Sequence, residues 1–149
     1  GFGRRQDPDG PYAAVIPRWI EALIQRRPCV IYGDGSHSRD FCYIDNVVQA
    51  NLLAATAGNH PPGAIYNVGC NGRTSINDLF AAIRDALAAD FPHVAEVEPT
   101  HEPARAGDVP HSQASIEHIH ADLGYQPTHQ LAQGMAETVA WFVRHQRRA

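Results

Sequence analysis

The chain has 149 residues, of which 44% are hydrophobic and 19% are charged, and its formal net charge is −4. This composition predicts one folded globular domain and excludes a disordered chain. The negative charge gives no reason to expect a nucleic-acid partner, and no membrane partner is expected because no apolar run approaches the roughly 20 residues that span a bilayer.

The chain begins with a loop, a helix and a strand. Residues 4–11 are rich in Arg, Asp, Gly and Pro and predict an exposed loop. Apolar residues at helical spacing predict a helix over 12–27, which Pro28 ends. Residues 29–32 then predict a short buried strand that runs into a tight turn at 33–35.

A second strand and a second helix follow. Residues 39–43 alternate in the manner of a short strand. Asp45 is predicted to cap a helix over 45–56. One face of that helix carries apolar side chains, which are Val47, Val48, Leu52 and Ala55.

The next segment predicts two more strands around a third helix. Residues 64–68 read as a buried strand. Ser75 opens a capping-box-like sequence, with Asp78 in place of the usual Glu or Gln, and predicts a helix to about Ala89. Residues 94–98 predict a strand, and residues 99–112 an irregular loop.

Two helices end the chain. A short one is predicted over 116–123 and stops at Gly124. The last is predicted over 131–145, with Met135, Val139 and Phe142 on one face. The elements together predict a small α/β fold with short strands and four to five helices, without a dinucleotide-binding start.

The stretch from Gly33 to Asp45 is the most informative candidate site. Arg39 follows the turn at a fixed offset, and a guanidinium can donate two parallel hydrogen bonds to a phosphate. Arg105 and Asp108 form a second arginine–acid pair downstream. The residues alone leave two readings open, because Arg39 and Asp40 could also be an ordinary exposed ion pair.

Cysteine, lysine and histidine usage limits the chemistry. Cys29, Cys42 and Cys70 show no Cys-x-x-Cys spacing, so neither a disulfide framework nor a zinc site is favoured, and a reducing cytoplasmic compartment fits best. The nine histidines show no metal-ligand spacing with a carboxylate, so no metal is expected. All 12 basic residues are arginine, so no lysine-dependent mechanism can be completed within these residues.

Motifs along the whole chain resemble the extended short-chain dehydrogenase/reductases, which are NAD-dependent nucleotide-sugar epimerases and dehydratases. In chain order these motifs are Tyr32-Gly33-Asp34-Gly35 with Arg39-Asp40-Phe41, Tyr66-Asn67-Val68-Gly69, Arg105-Ala106-Gly107-Asp108-Val109 and Leu123-Gly124-Tyr125-Gln126-Pro127. Ala106 departs from the pattern, which usually has proline there. The opening residues 3–17 look closest to the branch that acts on UDP-N-acetylhexosamines.

The resemblance implies that residues 1–149 are the C-terminal substrate-binding domain of such an enzyme, truncated on its N-terminal side and without the Rossmann domain. The implied reaction of the full-length enzyme is NAD-dependent inversion at C4 of a UDP-N-acetylhexosamine through a 4-keto intermediate. NAD and the catalytic Tyr-x-x-x-Lys pair would lie mostly outside this chain, so no catalytic residue is expected here. Related enzymes form homodimers through helices of the missing half.

The resemblance also implies a set of substrate-binding residues. Ala14, Val15 and Ile16 would meet the uracil, with Tyr32 bordering the same base. Arg39 and Arg105 would grip the diphosphate, and Asp108 would accept hydrogen bonds from ribose hydroxyls. Ser112 would leave room for an N-acetyl group, because its side chain is small.

Two other functions stay open at this point. One is a sibling enzyme, such as a nucleotide-sugar dehydratase or a UDP-glucose or uronic-acid epimerase. The other is a non-catalytic nucleotide-sugar-binding or assembly module.

Overall fold

The computed structural model describes residues 1–10, 14–58 and 60–146, with residue 146 described by its backbone alone. These residues form five α-helices and four short strands. The elements are α1 (Val15–Ile24), β1 (Val30–Tyr32), β2 (Ser38–Arg39), α2 (Ile44–Thr56), β3 (Thr74–Ser75), α3 (Ile76–Ala88), a 3₁₀ turn (Pro92–Val94), β4 (Thr100–Glu102), α4 (Glu117–Leu123) and α5 (Leu131–Gln146). The predicted α/β class with short strands is therefore confirmed.

The strands form two pairs. β1 and β4 are parallel, with Val30 opposite Thr100, and β2 and β3 are antiparallel, with Ser38 opposite Ser75. Ser38 also forms an isolated bridge to His111 on its other side. β2 therefore lies between β3 and the segment that follows β4.

The main hydrophobic core lies between α1, α3 and α5. Each of these helices buries an apolar face, as the sequence periodicity predicts. Packed in this core are Ile16, Trp19, Ile20 and Leu23 of α1, Leu79, Phe80, Ile83 and Leu87 of α3, and Met135, Val139, Phe142 and Val143 of α5. A second, smaller cluster joins α2 and α4 through Ala50, Ile119, Leu123 and Tyr125.

Most helix boundaries agree closely with the sequence, but α1 ends at Ile24, three residues before the predicted end, and Arg26 beyond it has a φ of 58°. Pro17 lies in the first turn of α1, and Gly124 ends α4 with a φ of 68°, in the left-handed region. The Ser75 hydroxyl accepts a hydrogen bond from the Asp78 amide at 3.0 Å, so the predicted cap of α3 is confirmed. The predicted start of the first helix at Tyr12 lies outside the described residues.

Two predicted strands are wrong, and the one predicted over 39–43 is largely so, because β2 covers only Ser38–Arg39. Residues 64–68 form no strand, because no neighbouring strand in the described chain pairs with them, and the side chain of Ile65 is 85% exposed. Residues 94–98 are not a strand either, because Pro92 starts a 3₁₀ turn and Val94 packs into the core instead. The strand forms later, at Thr100, inside the segment predicted to be a loop.

The buried face of α2 also differs from the prediction. Asn46 and Ala50 are buried, whereas Ile44, Val48 and Leu52 form an exposed row, with Leu52 61% exposed. Asn46 faces inward because its side-chain amide forms hydrogen bonds with the backbone of Thr128 and His129, just before α5. Helix α2 starts at Ile44 after Tyr43, so Asp45 is not the N-cap.

None of the helices in the described residues is both long and apolar enough to cross a membrane.

Candidate functional site

A cavity of about 480 Å³ opens beside the carboxyl ends of β1 and β4. Because these two strands are parallel, the loops that follow them leave the pair at the same edge. One loop leads from Tyr32 to Arg39, and the other carries Arg105 and Asp108. Helix α1 forms the opposite wall with Val15, Arg18, Trp19 and Ala22.

The turn after β1 is held in place by the start of α3. Gly33 and Gly35 have φ angles of 82° and 78°, which favour glycine. The Asn77 side chain donates to the Asp34 carbonyl at 2.9 Å, and the backbone N–H of Asn77 donates to the Gly35 carbonyl at 3.1 Å. A methyl group at Gly35 would collide with Asn77, so the close approach also requires glycine.

Arg39 is fixed by two hydrogen bonds at the cavity. Its Nη1 donates to the Ser38 carbonyl at 2.9 Å, and its Nη2 donates to Asp108 Oδ1 at 2.6 Å. The other carboxylate oxygen of Asp108 lies 3.1 Å from His37 Nδ1. These contacts hold the pKa of Asp108 below its usual range, and the hydrogen bond with His37 makes the largest contribution.

Arg105 approaches the same cavity from the second loop. Its guanidinium carbon lies 3.7 Å from the centroid of the Tyr32 ring, a cation–π contact. Neither Arg105 nor Arg18 has a carboxylate partner among the described residues. The cavity therefore presents two cationic groups whose charge is not neutralised by an adjacent acid.

Five of the eight predicted binding residues line the cavity, namely Val15, Tyr32, Arg39, Arg105 and Asp108. The side chain of Ile16 lies in the main core instead, and Ala14 is the N-cap of α1. Ser112 is exposed beside β2, where its N–H donates to the Ser38 carbonyl at 3.0 Å. The arrangement thus gathers a guanidinium pair, a carboxylate and an aromatic ring around one space.

Known proteins with similar sequence and structure share one family. Residues 1–69 match the model of the NAD dependent epimerase/dehydratase family. UDP-glucose 4-epimerase of Mycolicibacterium smegmatis is 38% identical over 141 residues, which are 95% of this chain and 42% of that protein. The chain is a relative of the NAD-dependent epimerases and dehydratases. The resemblance noted in the sequence is therefore confirmed.

Two solved structures of this family are similar across almost the whole chain. The UDP-glucose 4-epimerase of Thermotoga maritima, solved with UDP-glucose, has a TM-score of 0.86 and 32% identity. The UDP-N-acetylglucosamine 4-epimerase of Methanobrevibacter ruminantium, in complex with UDP-N-acetylmuramic acid, has a TM-score of 0.84 and 35% identity. In both comparisons the match covers 97% of this chain and 44% of the other. The chain therefore spans less than half the length of these relatives.

The turn at 69–72 does not offer a phosphate-binding loop for the NAD of this epimerase/dehydratase family. The glycine-containing turn at 69–72 is the nearest approach to a phosphate loop, but its N–H groups are already used. Asp40 accepts hydrogen bonds from the N–H groups of Cys70 and Asn71 at 3.0–3.1 Å. A carboxylate thus occupies the position that a phosphate would need, which also makes Asp40 a structural anchor and not an exposed partner of Arg39.

Among the cavity residues that sequence reasoning missed are Arg18 and His37. Arg18 stands three residues after Val15, so helical spacing alone puts both on one face of α1. His37 carries no such signal, because its contact with Asp108 joins residues 71 positions apart.

A further cluster lies away from the cavity residues described above. Ligand atoms of Asp45, His129 and Glu137 lie within 4.8 Å of one another, a grouping that sequence spacing did not indicate. The Arg4 guanidinium pairs with both carboxylates, at 3.2 Å from Asp45 and 3.9 Å from Glu137. The Arg4 guanidinium therefore offsets one of these two negative charges.

Proposed function

We propose that this chain binds the nucleotide-sugar substrate of an NAD-dependent UDP-sugar 4-epimerase. The observation that carries the proposal is the gathering of Arg39, Arg105 and Asp108 beside Tyr32 on one cavity. Two relatives solved with UDP-sugars, and a third named as a UDP-glucose 4-epimerase, support the same class of ligand.

A diphosphate fits the charge of this cavity. Guanidinium groups form charge-assisted and geometrically fixed hydrogen bonds with phosphate oxygens. Arg105 has no carboxylate partner among the described residues, and Arg39 is already oriented by the Ser38 carbonyl. The two groups would hold the diphosphate from the two loops that flank the cavity.

The nucleoside has complementary partners as well. Tyr32 offers an aromatic face beside the apolar side chain of Val15, which suits a flat pyrimidine. Asp108 is an acceptor at the edge of the cavity, and an ionised carboxylate suits the paired hydroxyls of a ribose. Ala14 and Ile16 would contribute through backbone groups at the start of α1.

A firm grip on the nucleotide suits inversion at C4 of the sugar. The hexose must turn so that each of its faces meets the cofactor. The contacts that bind the substrate should therefore be made to the diphosphate and the base, and not to the hexose. NAD supplies the hydride chemistry in this family. The contribution of this chain is to hold the nucleotide end while the sugar stays free to turn.

We further propose that the sugar is a UDP-N-acetylhexosamine. Ser112 follows Asp108 by four positions and lies beside β2, and its small side chain would leave room for an acetamido group on a sugar that extends past the cavity. Replacing Ser112 with Tyr should selectively lower turnover of UDP-N-acetylglucosamine relative to UDP-glucose by the full-length enzyme. Equal losses with the two substrates would contradict this role.

The chain would act as one substrate-binding domain of a longer enzyme. The solved relatives are more than twice as long as the part that this chain matches. The exposed apolar row of Ile44, Val48 and Leu52, together with exposed Ile65, offers a surface for the remainder of such an enzyme to cover. The homodimer expected for the full-length enzyme also belongs to this proposal.

Binding of UDP-glucose to the full-length enzyme tests the proposal directly. Arg39→Gln should weaken binding about 10- to 100-fold, the loss expected when a charge-assisted hydrogen bond is removed. Arg144→Gln is the matched control, because Arg144 is an exposed arginine on α5 that does not line the cavity. Unchanged affinity in Arg39→Gln would refute the assignment, and binding without turnover would favour a non-catalytic module.

A further inference from the structure

We propose that His37 is a positioning residue for Arg39 and Asp108, and that protonation of His37 strengthens binding of the diphosphate. This inference rests on the proposed function and adds a residue that the family motifs do not point to. The affinity of the cavity for the diphosphate would then depend on pH.

The geometry forms a chain of three side chains. His37 Nδ1 lies 3.1 Å from Asp108 Oδ2, and Asp108 Oδ1 accepts from Arg39 Nη2 at 2.6 Å. The carbonyl of His37 accepts a hydrogen bond from the Ile76 amide at 2.9 Å, so the backbone of His37 is fixed to the start of α3. His37 therefore holds Asp108 from one side while Asp108 holds Arg39 from the other.

The protonation state of His37 changes the charge that the anion meets. With a neutral imidazole, the charges of Arg39 and Asp108 cancel, and the three side chains carry no net charge. With an imidazolium, the same three side chains carry one positive charge. A diphosphate is attracted to the positively charged state, so we expect the affinity for the diphosphate to fall as the pH rises.

Charged groups on several elements share this part of the site with His37. Asp34 lies in the same turn, Arg39 is on β2, and Arg18 of α1 and Arg105 of the second loop line the same cavity. Helix α3 contributes Ile76, which is apolar. The pKa values of Asp34 and Asp108 are both held below their usual range, so both carboxylates stay ionised above about pH 5.

Two other histidines lie nearby and supply the control. His111 Nδ1 lies 2.8 Å from the Ser38 hydroxyl, and His101 Nδ1 lies 2.8 Å from the Gly33 carbonyl. Neither contacts Asp108. His111→Asn thus removes a titratable ring close to the site without touching the chain of three side chains.

The test measures UDP-glucose binding by the full-length enzyme between pH 5.5 and 8.5. UDP-glucose is a suitable probe because its diphosphate is a diester and keeps the same charge over this range. The wild-type dissociation constant should rise about tenfold across the range, the order of effect expected when one positive charge beside the diphosphate is lost. His37→Asn keeps a donor near the position of Nδ1 but cannot titrate, so its dissociation constant should change less than twofold.

Matched variants separate the possible outcomes. His111→Asn should keep the wild-type slope, and His37→Ala should bind more weakly than His37→Asn at pH 8.5, because Asp108 loses its donor. A wild-type slope in His37→Asn, or a flat wild-type profile, would overturn the inference while leaving the proposed function intact. Failure of the wild-type enzyme to bind UDP-glucose at any pH would refute the proposed function itself, and this inference with it. Thermal melts confirm that each variant is folded.

Discussion

At the scale of single residues, close packing decides which positions tolerate change. Gly134 lies inside α5, where glycine normally weakens a helix, yet it packs directly against the ring of Tyr43. A methyl group at Gly134 would lie 2.6 Å from Tyr43 Cβ and Cγ, closer than side-chain carbons approach. The glycine is thus required by its neighbour and not by its own backbone.

Gly134→Ala should lower the free energy of unfolding by about 1–3 kcal/mol, as overpacking does. Intrinsic helix propensity alone would raise it by up to about 1 kcal/mol, so the sign of the change identifies the cause. Urea denaturation followed by circular dichroism measures it. Gly58→Ala is the control, because nothing lies within 4 Å of a methyl group at that position. A stabilised Gly134→Ala variant would contradict the packing argument.

At the scale of elements, a buried amide joins α2 to the chain before α5. The Asn46 side chain is fully buried; its Oδ1 accepts from the N–H groups of Thr128 and His129, and its Nδ2 donates to the His129 carbonyl at 2.8 Å. These bonds satisfy the buried amide of Asn46 and tie the backbone of Thr128 and His129 to α2. They also explain why α2 buries a polar residue.

Asn46→Ala should cost about 2–4 kcal/mol of unfolding free energy, because it removes three part-buried hydrogen bonds at about 1 kcal/mol each. Asn51→Ala on the same helix should cost less than about 0.5 kcal/mol. Asn51 is exposed, and its side chain bonds only the Val47 carbonyl one turn earlier. Equal losses in the two variants, measured by urea denaturation, would show that helix propensity and not the buried amide dominates.

The same amide shows where sequence reasoning succeeds and where it stops. Helices α1, α3 and α5 were predictable because each shows a periodic apolar face over three turns or more, and the two binding loops because their motifs are local. The inward face of α2 was not, because Asn46 is buried for partners more than 80 positions away. The role of His37 in the cavity was not predictable for the same reason, because its partner Asp108 lies 71 positions away.

Strands were the least predictable elements. Residues 64–68 have the composition of a strand, but a strand needs a neighbour to bond, and composition does not reveal whether one is present. β4 is the converse case, since its three residues Thr100, His101 and Glu102 are all exposed and polar. It is a strand because its backbone pairs with β1, as the amide of Gly33, just past β1, illustrates by donating to the Glu102 carbonyl at 2.8 Å.

At the scale of the whole molecule, ionised acids connect distant parts of the chain. Arg4 near the start pairs with Asp45 of α2 and with Glu137 of α5. Hydrogen bonds from Tyr43 and then His129 hold the pKa of Glu137 below its usual range. A carboxylate with a depressed pKa stabilises the folded state above the pKa of the unfolded chain, and that stabilisation disappears as the pH falls.

The melting temperature should therefore be steady above about pH 5 and fall as the pH is lowered through 4.5, the unperturbed value for Glu. Glu137→Gln should reduce the size of this fall, because its side chain cannot be protonated. Glu96→Gln is the control, since Glu96 is exposed and has no ion-pair partner among the described residues. Identical acid profiles for wild type and Glu137→Gln, recorded by differential scanning calorimetry, would exclude this acid as a contributor.

The contact between α3 and the turn after β1 contains two amides whose hydrogen exchange would report on opening of the turn. The first amides of a helix usually bond to a cap or to water, but those of Ile76 and Asn77 donate to the carbonyls of His37 and Gly35. Their protons can exchange with solvent only when the turn separates from the helix. Hydrogen-exchange rates at these two amides would thus measure how often the turn that leads to Arg39 opens, without any label at the cavity.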